Sequence, residues 1–302
     1  MLAIVIPYYK LVFFEKTLNS LSGQTDKRFK VYIGDDASPE SPMALLKTYE
    51  GKFDFQYHKF ETNLGGKSLT KQWDRCIALT KDEPWMMILG DDDVLGENVV
   101  EMFYRKKDKA LDQGINLIRY ASKNIDAEGK DLSKVYQHPE IEKTTDSYFK
   151  HFSWESRSSL SEYIFQRKSY ETHGFTDFPL AWHADDKAWL DFTDSGNVFT
   201  INDAVVSFRL SPENISGQRD NEAIKNTSRR LFFKDIISDK KYTFTNAQKN
   251  AFLFEYGVLI KEQNLMTAGN IWLVLRGFLK MGHFYDGMRF LRRMYRGKFL
   301  EK

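Results

Sequence analysis

Four short apolar runs, separated by helix-length amphipathic stretches, restrict this chain to very few folds. The runs occupy residues 2–6, 29–34, 85–89 and 115–120. Each is strand-length, and most are rich in β-branched or aromatic residues. Near-continuous apolar runs suit strands covered on both faces, as in a parallel sheet. The intervening stretches 14–22, 42–50, 68–79 and 96–113 read as helices. This alternation implies βαβ units and an open, Rossmann-like, mostly parallel α/β sheet flanked by helices. Ligands of such sheets bind beyond the carboxyl ends of the strands.

Those ends are acidic. Pro7-Tyr8-Tyr9 follows the first run, Asp35-Asp36-Ala37-Ser38 the second, and Gly90-Asp91-Asp92-Asp93 the third. Three adjacent ionised carboxylates repel one another, and a cation relieves that repulsion. Hard divalent cations such as Mg2+ or Mn2+ take carboxylate oxygen and leave positions open for phosphate oxygens. The competing reading is a solvated turn starting a helix, where aspartate is favoured. The strongly apolar Trp85-Met86-Met87-Ile88-Leu89 ahead of the triplet favours metal. Asp35-Asp36, taken alone, reads better as a turn and cap than as a ribose or base ligand.

A third pair lies in Trp182-His183-Ala184-Asp185-Asp186, ahead of a helix-like stretch, and offers a general base or an N-cap. Arg209 offers a diphosphate partner or a surface ion pair. Trp154, Trp182 and Trp189 read as packing residues before sugar-stacking faces. Asp126-Ala127-Glu128-Gly129-Lys130 marks a hairpin turn.

Several functions are disfavoured. Gly65-Gly66-Lys67-Ser68 lacks the first glycine of a P-loop, no Gly-x-Gly-x-x-Gly occurs, and no Cys/His cluster suits zinc. A net charge of +2 gives no general case for nucleic acid. Cys76 is the single cysteine, so no intramolecular disulfide forms, and a reducing, cytoplasmic compartment fits. No leader is expected ahead of the first strand, and no apolar run reaches the roughly 18 residues of a spanning helix.

The order of motifs is more specific than any one of them. Ile4-Val5-Ile6-Pro7-Tyr8-Tyr9, a helix running into Gln24-Thr25, a strand ending in Asp35-Asp36-Ala37-Ser38, the turn Asn63-Leu64-Gly65 and then Asp91-Asp92-Asp93 resemble family 2 of the glycosyltransferases. The resemblance covers roughly residues 1–216. It implies a GT-A fold, a UDP- or GDP-linked sugar donor, Mg2+ or Mn2+, and inversion at the anomeric carbon. Position by position it makes Asp36 a base contact, Pro7 and Tyr9 pocket lining, Asp91 a residue near ribose and metal, and Asp92 and Asp93 the metal end of the motif. Tyr8, Asn63, Lys67 and Arg209 complete the expected donor contacts. Asp185-Asp186 matches the late acidic motif carrying the catalytic base, with Asp186 favoured. Lys10, Ala37 and Gly90 depart from the family's usual Asn, Gly and Asp, so Asp91 and Asp93 are an alternative metal pair. The missing Gln-x-x-Arg-Trp disfavours a processive synthase.

The resulting expectation is a GT-A catalytic domain over residues 1–220, divided into a nucleotide-sugar half (1–120) and an acceptor half (121–220). A helical region, 221–302, follows. The activity expected is transfer of one sugar to a hydroxyl of a glycan or lipid-linked acceptor, in surface polysaccharide synthesis. A sugar nucleotidyltransferase is the first alternative, but would carry a Gly-rich basic loop where Pro7-Tyr8-Tyr9-Lys10 stands. A nucleotide-sugar-binding protein without transfer activity is the second. From Gly269 to the end, eight Lys or Arg stand against two Asp or Glu. This basic, aromatic stretch (271–300) suits an anionic membrane surface at the inner face, or a helical cap, the latter favoured.

Overall fold

The computed structural model describes residues 1–218 and 220–299, with side chains as far as residue 294 in the last helix. Of the basic stretch 271–300, Leu300 and the side chains of residues 295–299 lie outside the described residues. Two compact units divide the chain, Met1–Asn221 and Glu222–Lys302.

The first unit is built on one nine-stranded sheet. Its parallel half comprises β1 (Leu2–Tyr8), β2 (Phe29–Asp35), β3 (Asp54–Lys59) and β4 (Trp85–Ile88), in the order β3-β2-β1-β4. Helices α1 (Phe14–Ser22), α2 (Met43–Lys47) and α3 (Leu69–Ile77) connect them. Leu2, Ile4, Ile6, Val31, Ile33 and Met87 are fully enclosed, with Phe14, Leu18 and Leu21 of α1 in the same core. This is why the runs read as unbroken apolar segments. β3 lacks that signature because it is an edge strand whose residues alternate between half-buried and exposed. Cys76 is buried with its sulfur against Gly34, the packing role expected of it.

The second half of the sheet is mixed. β5 (Val94–Leu95), α4 (Val99–Leu111), β6 (Leu117–Ile125), β7 (Ile141–Lys143), α5 (Thr144–Phe152), β8 (Tyr163–Gln166), α6 (Arg167–His173), α7 (Ala184–Phe192) and β9 (Asn197–Arg209) follow in turn. β8 inserts antiparallel between β4 and β6, and the long β9 runs parallel to β6. Residue 120, the expected border between donor and acceptor halves, falls inside β6. The turn expected at 126–130 closes through Gly129 N–H to the Asp126 carbonyl at 3.1 Å. Trp189 is core, the packing role favoured for it over a sugar-stacking face. It is buried and stacks on Tyr163 with ring centroids 4.4 Å apart, beside Phe165 and Phe192.

The second unit contains α8 (Glu222–Ser238), α9 (Asn246–Glu262), α10 (Ala268–Lys280) and α11 (Phe284–Phe299). Thr245 and Gln248 form a reciprocal capping box that starts α9. Gly257 and Gly277 are packing glycines. A Cβ at Gly257 would lie 2.5 Å from the Phe290 ring, and one at Gly277 would lie 2.7 Å from Leu253.

Candidate active site

The carboxyl ends of β1, β2 and β4 meet at one edge of the sheet, and a backbone network ties their loops together. Asp36 N–H bonds the Tyr8 carbonyl at 3.0 Å. Tyr9 and Lys10 N–H groups both donate to Asp91 Oδ2, at 2.8 and 2.9 Å. Gln24, in the motif closing α1, accepts from Val100 N–H and donates to the Gly96 carbonyl, pinning the start of α4.

Asp36 is buried. Its two oxygens accept N–H bonds from Leu64 at 2.7 Å and Gly65 at 2.9 Å, and Arg75 pairs with the same carboxylate. Asp36 thus holds the 63–67 turn over the strand ends. A Cβ at Gly65 would lie 2.6 Å from Asp36 Oδ2, so glycine lets this carboxylate approach the backbone. Asn63 accepts the Gly66 N–H at 2.7 Å, and Lys67 is exposed on the turn. Ala37, where the family favours glycine, sits in the left-handed region at φ 54. Asp35 faces inward, accepting from Ser38 N–H and the Tyr57 hydroxyl.

Two expected donor contacts have other work. Tyr8 is fully buried on Phe14, with its hydroxyl donating to the Glu40 carbonyl. Arg209 is 1% exposed. Its Nε donates to the Asp92 carbonyl and its Nη1 to the carbonyls of Asp126 and Ala127. Arg209 is therefore a pillar behind the aspartate turn, held there because a buried guanidinium needs acceptors. Pro7 is half-buried and Tyr9 partly exposed at the same edge.

The three aspartates point in three directions. Asp91 turns to the β1 loop. Asp93 is buried, with Oδ1 accepting from Arg209 N–H and its carboxylate hydrogen-bonded by Ser161. Asp92 is half-buried and receives Asn214 Nδ2 on Oδ2 at 3.3 Å. Among the described residues no group of three His, Cys, Asp or Glu is arranged to hold a metal ion, so the triplet is not a ready-made three-carboxylate cage. Two oxygens do converge. A Cβ on Gly90 would lie 2.8 Å from Asp92 Oδ1 and 3.0 Å from Asp93 Oδ2. The glycine that departs from the family pattern leaves room for that convergence. Burial holds the Asp91 and Asp93 carboxyls well above the usual range, and the Asp92 charge adds to the rise. One or two carboxylates completed by substrate phosphates is the donor set Mg2+ accepts, so these residues fit a divalent cation.

The second acidic group opens α7. His183 stands before it at φ 68. His183 Nδ1 lies 2.7 Å from Asp186 Oδ2, and Asp186 is buried. Asp185 is half-buried and accepts the Asp186 N–H on Oδ1 at 2.9 Å. Burial and the neighbouring Asp186 push the Asp185 carboxyl up. The short helical turn Leu160–Glu162 reaches both acidic groups. Ser161 Oγ accepts Gly90 N–H at 3.0 Å. Glu162, fully buried and paired with Arg157, adds to the field that raises Asp185. Arg75, Arg157, Ser161, Glu162 and Asn214 belong to no local pattern and were not legible from sequence as neighbours of the site. Trp154 is exposed and Trp182 half-buried.

A parallel sheet with acidic loops at its carboxyl edge, extended by antiparallel strands and a late acidic helix start, defines a GT-A-type α/β architecture. Residues 3–173 match the model of glycosyl transferase family 2. The chain belongs to that family of enzymes. Among solved structures, S. aureus TarS residues 1–349 in complex with UDP-GlcNAc superposes with a TM-score of 0.64 at 13% identity, over 98% of this chain and 92% of that one. A mannosyltransferase from Pyrobaculum calidifontis, PcManGT, in complex with GDP-Man and Mn2+, gives 0.56 at 12% identity, over 100% and 87%. Against a longer TarS chain the TM-score is 0.59 at 15% identity, over 90% of this chain, which spans 45% of that length. At these identities the likeness is one of fold. Comparison by sequence with curated proteins finds no match.

Proposed function

We propose that this chain is an inverting, metal-dependent glycosyltransferase using a UDP- or GDP-linked sugar. The observation that carries the reading is the assembly of strand ends, bonded through Tyr9–Asp91 and Asp36–Gly65 and with Asp92 and Asp93 oxygens beside Gly90, at the edge where α/β sheets bind ligands. Neighbours of the same fold hold UDP-GlcNAc and GDP-Man. Asp92 Oδ1 and Asp93 Oδ2 would hold Mg2+ or Mn2+, which neutralises charge developing on the leaving diphosphate. Pro7, Tyr9 and the Asp36-held turn with Asn63 and Lys67 line the nucleoside side.

The Asp185–Asp186 pair supplies the base. The raised proton affinity of the Asp185 carboxyl suits a group that takes a proton from an acceptor hydroxyl near neutral pH. Attack from the face opposite the diphosphate inverts the anomeric carbon. The acceptor class is a glycan or lipid-linked hydroxyl of a surface polysaccharide, on the cytoplasmic side. Residues 1–220 would form the catalytic domain.

A thermal-shift and turnover screen of UDP- and GDP-sugars, with and without Mn2+, tests the donor site. Stabilisation that requires both nucleotide and metal is expected. Stabilisation by neither class of nucleotide sugar overturns the reading.

A further inference from the structure

Helices α10 and α11 each carry two apolar faces, and the fold of their own unit uses one. Val274, Phe278, Phe290 and Met294 are buried. Phe278 packs on Phe254 and Phe290, and Phe290 fills the space left by Gly257. The other face points outward. Trp272 and Leu279 on α10, and Phe284, Tyr285, Met288 and Leu291 on α11, are 45–69% exposed. The spacings place Trp272 and Leu279, with Arg276 between them, along one stripe of α10, and Phe284, Met288 and Leu291 along one stripe of α11 with Tyr285 beside it. A helix whose only task is to cap a core presents polar residues to water.

The exposed charges of these two helices are of one sign. Arg276, Lys280, Arg289, Arg292 and Arg293 are exposed. Within residues 268–294 the only acidic side chain is Asp286, which His283 and Arg289 already engage. A second copy of this chain meeting the same face would bring like charges together. An anionic surface complements them, and bulky aromatic and apolar residues mixed with Arg and Lys suit the headgroup layer of a bilayer. Among the described residues no helix is long and apolar enough to cross a membrane, so contact through these helices would be in the plane of the surface.

We propose that the outward face of α10 and α11 docks on an anionic lipid bilayer. Trp272, Phe284, Tyr285 and Met288 enter the headgroup layer, and the five basic side chains meet lipid phosphates. This inference does not rest on the transfer reading and stands or falls without it.

Cosedimentation of the full chain with vesicles tests it. Binding to phosphatidylglycerol vesicles, weak binding to pure phosphatidylcholine and partial release by high salt are expected. Arg276→Glu with Arg292→Glu should lower partitioning by about tenfold or more, since each basic residue near such a surface contributes roughly a fivefold factor. Trp272→Ser with Met288→Ser should remove the binding that survives high salt. All four side chains are exposed, so both variants should keep the wild-type melting temperature. If either does not, quenching of Trp272 by brominated phosphatidylglycerol in the unaltered chain, absent in Trp272→Phe, replaces it. Equal binding to neutral vesicles, or none to anionic ones, overturns the proposal. So does a lipid-free oligomer, seen by light scattering, that Trp272→Ser with Met288→Ser dissociates.

Discussion

The two acidic groups of the first unit solve the same electrostatic problem differently. In Asp91-Asp92-Asp93 the carboxylates are separated by direction. One is anchored on the β1 loop, one on Arg209 N–H and Ser161, and one is left half-buried beside Asn214. In Asp185-Asp186 they share one helix start, and His183 takes one of them at 2.7 Å. The first arrangement leaves two oxygens near the position a Cβ on Gly90 would take, the place proposed above for a cation. The second leaves a carboxyl with raised proton affinity, which a proton fits. The strand-end turn splays its three carboxylates towards different partners, whereas the helix start keeps its two adjacent carboxylates at one end of α7, with Asp186 N–H donating to Asp185 Oδ1.

The sharpest way to break that contrast is Asp92→Ala. It should abolish Mn2+-dependent nucleotide binding and lower kcat/KM by about 10⁴-fold, since a metal at a leaving diphosphate supplies several kcal/mol. Calorimetric titration with UDP and GDP reads the binding directly, and unchanged binding would remove the metal from this turn. The helix pair should fail in the other sense. Asp185→Asn and Asp186→Asn, assayed separately, should retain donor binding, while the one that holds the base loses on the order of 10³-fold in kcat. Full activity in both variants would place the base elsewhere.

A third substitution tests how the splayed geometry is held. Arg209→Met leaves the carbonyls of Asp92, Asp126 and Ala127 without their donor inside the fold. A loss of about 3 kcal/mol is expected in denaturant unfolding, in line with the cost of breaking a buried charged hydrogen-bond set. Donor affinity should fall as the turn loosens, with any surviving dependence on the α7 pair unchanged.

The contrast also explains what the sequence could reveal. The parallel half was legible because burial on both faces writes unbroken apolar runs, and because motif order fixed Asp36, Asn63-Leu64-Gly65 and the triplet at strand ends. β3 was not, since an edge strand such as Asp54–Lys59 is polar on one side. β7, β8 and β9 were not, because strands added antiparallel, or parallel only after a long excursion, leave no βαβ rhythm. Arg209 was legible as a residue of the site but not in its role. From sequence a diphosphate and three carbonyl oxygens are equally good partners for a guanidinium, and only the path of the 126–127 turn decides between them. Arg75 and Glu162 act across long separations that carry no local pattern.

The smallest expected effect is a pH dependence that divides between the two groups. Burial gives the folded Asp91, Asp93 and Asp185 carboxyls raised proton affinities, at about 7, 8 and 8. The unfolded values lie near 3.9. Between about pH 4 and pH 8 the folded state therefore holds protons that the unfolded state has released. Stability contributed by these groups is fully present below the unfolded value and falls as pH rises through that window. His138 works oppositely on the acid side. Burial lowers its folded pKa to about 3, so its contribution rises with pH up to its normal range. The useful quantity is thus a difference between melting profiles. Mn2+ with a nucleoside diphosphate should flatten the part due to Asp93, where the cation replaces the proton, and lessen the part due to the neighbouring Asp91. Asp185→Asn should flatten the remainder, which metal leaves untouched. A remainder that metal also removes would mean that the α7 pair shares the cation, and the division of labour between the two groups would fail.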